Sequence, residues 1–252
     1  MTVKNYLVSA VRPIRNGWHM EKNQDLYKNY QAMYDLSLAS FRHFVQEPFE
    51  AICFTDPVDD NDNYTLENWK AIKKLWHQEP CNIFWAGADT FMTQSTSLFG
   101  NRFKEYRLFN YTDPRSHREF ENHFNDDVQY YPHTMKEETW ELGEQYWAQR
   151  EGHPDRYWGF DQLRHNAMFW SQDIPASDRL HPEMAWQAMN LRSDGEHLVG
   201  RVHGKSDAVV GHEKWNQLSI DQAHIIHFHA SRGSQAVIDI MKHLCKQLEI
   251  AV

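Results

Sequence analysis

The first half of the chain alternates between short continuous apolar runs and longer stretches in which apolar residues recur every three or four positions. Tyr6-Leu7-Val8-Ser9-Ala10-Val11 reads as a buried strand, and Leu26, Tyr30, Met33, Tyr34, Leu38, Phe41 and Val45 then repeat at helical spacing. A second run, Phe49-Glu50-Ala51-Ile52-Cys53-Phe54-Thr55, is closed by Asp56-Pro57. An acidic loop follows, then a helix opening at Thr65 with Leu66, Trp69, Ile72, Leu75 and Trp76 on one face. The third run, Ile83-Phe84-Trp85-Ala86-Gly87-Ala88, ends on Asp89-Thr90. This alternation predicts an α/β chain with a parallel sheet and helices on both faces, because parallel neighbours need crossover connections. A further strand is expected at Tyr106-Arg107-Leu108-Phe109.

The second half is less regular. Thr134-Met135-Lys136-Glu137 has the form of a capping box and opens a helix carrying Trp140 and Trp147, with a shorter helix expected over 160–169. Residues 184–190 and 197–202 flank Arg192-Ser193-Asp194-Gly195-Glu196 and predict an antiparallel hairpin around Asp-Gly, so the sheet is expected to be mixed. His224-Ile225-Ile226-His227-Phe228 reads as a short strand. Ser234 then caps a last helix whose Val237, Met241, Leu244 and Leu248 face the core.

Composition narrows the function classes. The 252 residues, 41% hydrophobic and 14% aromatic, suffice for one full-sized core, and without repeats or long linkers a single domain over 1–252 is expected. Lys and Arg number 26 against 35 Asp and Glu, a net charge of −9, which argues against a nucleic-acid partner because phosphate affinity comes from clustered cations. The opening residues lack a secretory pattern, and no run approaches a membrane span. Cys53, Cys81 and Cys245 are isolated, odd in number and set among apolar residues, which suits reduced core thiols and a cytoplasmic setting.

Asp89 is the first candidate for chemistry. In open α/β sheets ligands bind beyond the carboxyl ends of the strands, so a carboxylate there can hold a metal or phosphate, or else cap the following turn. By strand alternation His227 and His229 share a face, as ligands or as a buried hydrogen-bonded pair, and His227 is favoured as a ligand. Asn125, Asp126 and Asp127 form either a polar turn or a tandem set of acceptors suited to a sugar. Arg232-Gly233 before the last helix can offer a guanidinium and backbone N–H groups to an anion.

Taken in order, Ala88-Asp89-Thr90, Phe124-Asn125-Asp126-Asp127-Val128, Phe160-Asp161-Gln162 with Asn166, and His227-Phe228-His229-Ala230 resemble the signposts of GT-A glycosyltransferases, especially the family 8, glycogenin-like group. The resemblance implies a Rossmann-like, mostly parallel sheet, with a nucleotide-binding half over about 1–110 and a sugar and acceptor half over about 111–252. It implies transfer of a sugar from a nucleotide-diphosphate donor, with UDP-sugar the expected co-substrate, to a hydroxyl acceptor. A divalent cation, Mn²⁺ or Mg²⁺, would be held by Asp89 and His227. By the same resemblance Val8, Ser9, Ala10, Arg12 and Asp56 would line the nucleotide, with Arg232 on the phosphates. Asn125, Asp126, Asp127 and Asn166 would meet the sugar and acceptor, and Asp161 and Gln162 would act at the reacting centre. The family's first metal-site carboxylate falls on Gly87, so the motif is Gly-Ala-Asp, and Ser231-Arg232-Gly233 stands where Lys-Pro-Trp is usual.

Two other classes remain open on the residues alone. Asp89, His227 and His229 around a cation with an open water position would suit a metal-dependent hydrolase. The glycine at 87 keeps open a non-catalytic nucleotide-sugar or glycan-binding protein.

Overall fold

The computed structural model describes residues 2–15, 23–59, 61–100, 103–111, 124–148, 160–174, 188–190, 192–193, 198–199, 224–228 and 235–252. Its centre is a five-stranded mixed sheet. In spatial order the strands are β2 (Glu50–Phe54), β1 (Lys4–Ala10), β3 (Cys81–Ala86), β6 (Phe124–Tyr131) and β5 (Arg107–Tyr111). β1 runs parallel to both β2 and β3, so Val8 lies opposite Ile52 and Trp85, whereas β6 is antiparallel to β3 and to β5. The crossovers are helices α1 (Asn23–Phe44) and α2 (Asn61–Gln78), which follow β1 and β2 as the alternation predicts. α2 begins one turn before Thr65.

Every residue of β3 is buried, as a strand covered on both faces requires. On one face Tyr6, Val8, Ile83, Trp85 and Tyr131 pack against Trp69 and Ile72 of α2, Trp140 of α3 (Glu137–Ala148) and Met168 and Phe169 of α4 (Phe160–Trp170). On the other face Leu7, Phe84, Ala86, Val128 and Tyr130 pack with Phe41 of α1. The alternation of Tyr6, Leu7 and Val8 between the faces is the two-residue period of a strand.

A second, three-stranded sheet lies on the α1 side: β4 (Thr90–Met92), β10 (Ile225–His227) and β7 (Ala188–Asn190). β10 is antiparallel to β4 and parallel to β7. Of the hairpin expected between 184–190 and 197–202, the described residues form a short antiparallel ribbon of β8 (Arg192–Ser193) and β9 (Leu198–Val199), while Ala188–Asn190 pairs with β10 instead. A tight turn fixes only the residues beside it, while β10 has a second edge whose N–H and C=O groups need a partner. The last helix, α5 (Gln235–Gln247), packs on α1 through Val237, Met241 and Leu244 against Met33 and Leu36, enclosing Phe91, Ile226 and Phe228. The expected cap Ser234 lies outside the described residues.

Small hydroxyl residues let α1 approach β4. Ser40 Oγ donates to Ser37 O at 2.6 Å and accepts from Met92 N–H at 2.9 Å, and both serines are buried. This ties the strand that follows Asp89 to a long helix. Among the described residues no helix is long and apolar enough to cross a membrane.

Candidate functional site

β3 ends at Ala86, and the chain turns through 87–89 into β4, leaving the central sheet for the small one. The turn is held on three sides. Gly87 N–H donates to Asp127 O at 2.9 Å, Thr90 N–H returns to Gly87 O at 3.1 Å, and Phe228 N–H donates to Asp89 O at 2.9 Å. Thr90 Oγ1 also donates to Gly87 O, at 2.7 Å. β10 pairs His227 with Thr90, so two segments remote in sequence meet at this corner.

Three side chains converge there. His227 Nε2 lies 2.9 Å from Asp127 Oδ2 and 3.7 Å from Asp89 Oδ1. The imidazole is 3% exposed, whereas the side chains of Asp89 and Asp127 are 15% and 37% exposed, so the cluster opens to solvent on the Asp127 side. Burial alone pushes the His227 imidazole down, but the charge and hydrogen bond of Asp127 and the charge of Asp89 outweigh it and raise the pKa to about 8. At neutral pH His227 therefore carries a proton shared with Asp127. Among the described residues no group of three or more His, Cys, Asp and Glu side chains stands ready-arranged around a metal position. The donor set nevertheless suits a divalent cation, with two carboxylates and one imidazole reaching a partly open corner where a cation would take the place of the shared proton.

Asp126 turns the other way, as the neighbour of Asp127 in a strand must. Its Oδ2 is 3.9 Å from His165 Nε2 on α4. Behind it lies a buried network with no counterpart in the sequence-based expectations. Arg164 stacks its guanidinium over Trp69, 4.3 Å from the ring centroid, and its Nη2 lies 3.1 Å from His165 Nε2. His165 Nδ1 is 2.8 Å from Tyr106 Oη, which in turn donates to Gln129 Oε1 at 3.1 Å. Since Arg164 can only donate, His165 accepts at Nε2 and carries its proton at Nδ1. Desolvation first, and then the Arg164 charge, hold the His165 pKa well below its ordinary value. Gln129 also binds Tyr131 Oη and donates to Asp126 O, so the network fixes the strand that presents both aspartates. The signal in the sequence was Arg164-His165 in mid-helix between the buried Leu163 and Ala167.

The other expected site residues are distributed as follows. Asn166 is fully buried on α4. Asp161 and Gln162 stand in its first turn and Asn125 in β6 opposite Asn110, with side chains outside the described set. Val8, Ser9 and Ala10 form the carboxyl half of β1, and Ser9 Oγ donates to Ala86 O at 2.7 Å. The Arg12 side chain is largely covered and lies over Phe54, with Nε donating to Asn68 Oδ1 at 2.6 Å and Nη1 to Asp56 O at 3.1 Å, while the Asp56 carboxylate is exposed. The aromatics near the tandem aspartates, Tyr130, Tyr131 and Trp140, belong to the core and not to the site, Tyr131 and Trp140 stacking at 5.1 Å. Arg232 and His229 lie outside the described residues.

No protein-family model and no curated protein matches the chain. Among solved structures it is similar to a glycosyltransferase involved in the glycosylation of the major capsid of PBCV-1, at 9% identity over 95% of this chain and 99% of that one, with a TM-score of 0.45. It is similar to an active-site mutant of LgtC at 10% identity over 96% of this chain and 95% of that one, with a TM-score of 0.47. A third similarity is to the apo-form glycosyltransferase GlyE of Streptococcus pneumoniae, at 10% identity over 68% of this chain but 44% of that one, with a TM-score of 0.35.

Proposed function

We propose that this chain is a GT-A-like glycosyltransferase that moves a sugar from a nucleotide-diphosphate donor, UDP-sugar in the first instance, to a hydroxyl acceptor. A divalent cation, Mn²⁺ or Mg²⁺, assists. The observation that carries this reading is the convergence of Asp89 and His227 at the carboxyl end of a parallel strand, where α/β sheets bind their ligands. When bound, the cation neutralises the negative charge that builds on the β-phosphate as it departs. Asp89 and His227 would hold it, the residue after His227 being tied to Asp89 by the bond from Phe228 N–H to Asp89 O.

The remaining roles are those that the resemblance to GT-A glycosyltransferases implies. Residues 8–10 with Arg12 and Asp56 border the nucleotide by shape and backbone, since Ser9 Oγ and the Arg12 guanidinium are engaged inside the protein. Arg232 clamps the phosphates. Asn125 and Asp127 face the sugar and acceptor, while Asp126, steadied by the Arg164–His165 network, and the fully buried Asn166 support that side from within. Asp161 orients or deprotonates the acceptor hydroxyl, with Gln162 beside the anomeric carbon. A reducing cytoplasm suits the three free cysteines.

The expected result is that UDP-sugar with Mn²⁺ raises the melting temperature of the protein and that Asp89→Asn abolishes the rise, because a ligand stabilises only the state that binds it. An equal rise in the mutant would reject the cation assignment.

A further inference from the structure

The tandem aspartates of β6 divide between two faces, Asp126 toward His165 of α4 and Asp127 toward His227 of β10. Only Asp127 therefore shares a corner with Asp89. Its partner across the turn is Gly87, whose N–H donates to the Asp127 carbonyl. A Cβ built on Gly87 would lie 3.0 Å from Asp89 Oδ1 and 3.6 Å from both Cβ and Oδ1 of Asp127. The space into which a side chain at 87 would project is thus bounded by the two carboxylates that reach His227 Nε2. A methyl group at 87 would make a tight contact with Asp89 Oδ1, which a small shift of that carboxylate relieves, and would meet Asp127 at ordinary van der Waals distance, so the corner has room for one further side chain beside Asp89.

We propose that Asp127, delivered from β6, is the second carboxylate ligand of the divalent cation, and that Gly87 is the opening that admits it. Positions 87 and 127 then form an exchangeable pair, in which one carboxylate can be supplied from either side of the same corner. This rests on the cation-assisted reading above and moves Asp127 from the sugar to the metal. The chemistry agrees: oxygen donors predominate with one imidazole, and Asp127 is the most solvent-open of the three groups, on the side from which a hydrated ion enters.

The test is Mn²⁺ binding to metal-stripped full-length protein without nucleotide, followed by electron paramagnetic resonance, with thermal unfolding as the check on fold. Asp127→Asn keeps the side-chain size and is expected to weaken Mn²⁺ at least about tenfold, since even outer-sphere partners of a metal cost roughly that much. Asp126→Asn is expected to change it by less than about threefold, on the same scale. In the second arm Asp127→Gly loses affinity, and adding Gly87→Asp to it restores most of the loss. Wild-type affinity in Asp127→Asn beside a lost site in Asp89→Asn would overturn this inference and leave the cation reading standing. Failure of Gly87→Asp to recover Asp127→Gly would overturn the exchange. A wild-type protein that takes up no Mn²⁺ overturns both.

Discussion

His165 shows how one buried side chain can be assigned a protonation state from its neighbours alone. Arg164 donates to Nε2 and the ring is buried, so the folded protein keeps this imidazole neutral at a pH where the unfolded chain would protonate it. Below the ordinary value of 6.5 the unfolded state then binds one proton more than the native state, so stability rises with pH through that window and is lost as pH falls. One such proton contributes a slope of up to about 1.4 kcal/mol per pH unit. His165→Gln is expected to flatten the acid limb of stability between about pH 6.5 and 5 by up to that slope, measured by urea unfolding at a series of pH values. Parallel limbs for the two proteins would show that His165 is charged or exposed.

At the scale of elements, α3 is seated on α2 and α4 by the absence of a side chain. A Cβ on Gly143 would come within 2.7 Å of Trp69 Cη2 and 2.8 Å of Met168 Sδ. In an exposed helix Gly→Ala gains roughly 1 kcal/mol, but overpacking against a rigid indole costs about 1–3 kcal/mol. Gly143→Ala is therefore expected to be neutral to destabilising by up to about 2 kcal/mol in urea titration, the difference of those two terms. A gain of stability would mean that α3 lifts off its neighbours freely. The helices themselves were legible because apolar residues such as Leu66, Trp69 and Ile72 keep the 3.6-residue period. β6 was not, because it opens on Phe-Asn-Asp-Asp and buries a glutamine, which the Tyr106 and Tyr131 hydroxyls and the Asp126 carbonyl of the folded network make tolerable inside. β4 and β10 are three residues each, too short to display any period, and their pairing is decided by contacts made far along the chain.

At the scale of the whole molecule the corner at 87–89 joins two layers. Asp89 and His227 were both legible as polar residues ending apolar runs, but that they meet, and that Asp127 joins them, follows from sheet order, which no local pattern encodes. Each layer has its own core: Trp69, Trp85 and Trp140 lie on the α2, α3 and α4 side, whereas Met241 of α5 is fully buried with Met33, Ile226 and Phe228 on the other. β3 and β4 are consecutive through a three-residue turn, and β10 hydrogen-bonds back to that turn, so loosening α5 should be felt across the central sheet. Met241→Ala removes a buried side chain and is expected to cost about 2–5 kcal/mol, a large share of the roughly 5–15 kcal/mol that holds a domain together. If the layers unfold as one unit, the mutation shifts the urea midpoint seen by tryptophan fluorescence as far as the one seen by far-ultraviolet circular dichroism. A fluorescence transition that stays in place while the dichroism splits would mean that the layer carrying His227 folds apart from the layer carrying Asp127. The cluster would then be assembled only in the fully docked state.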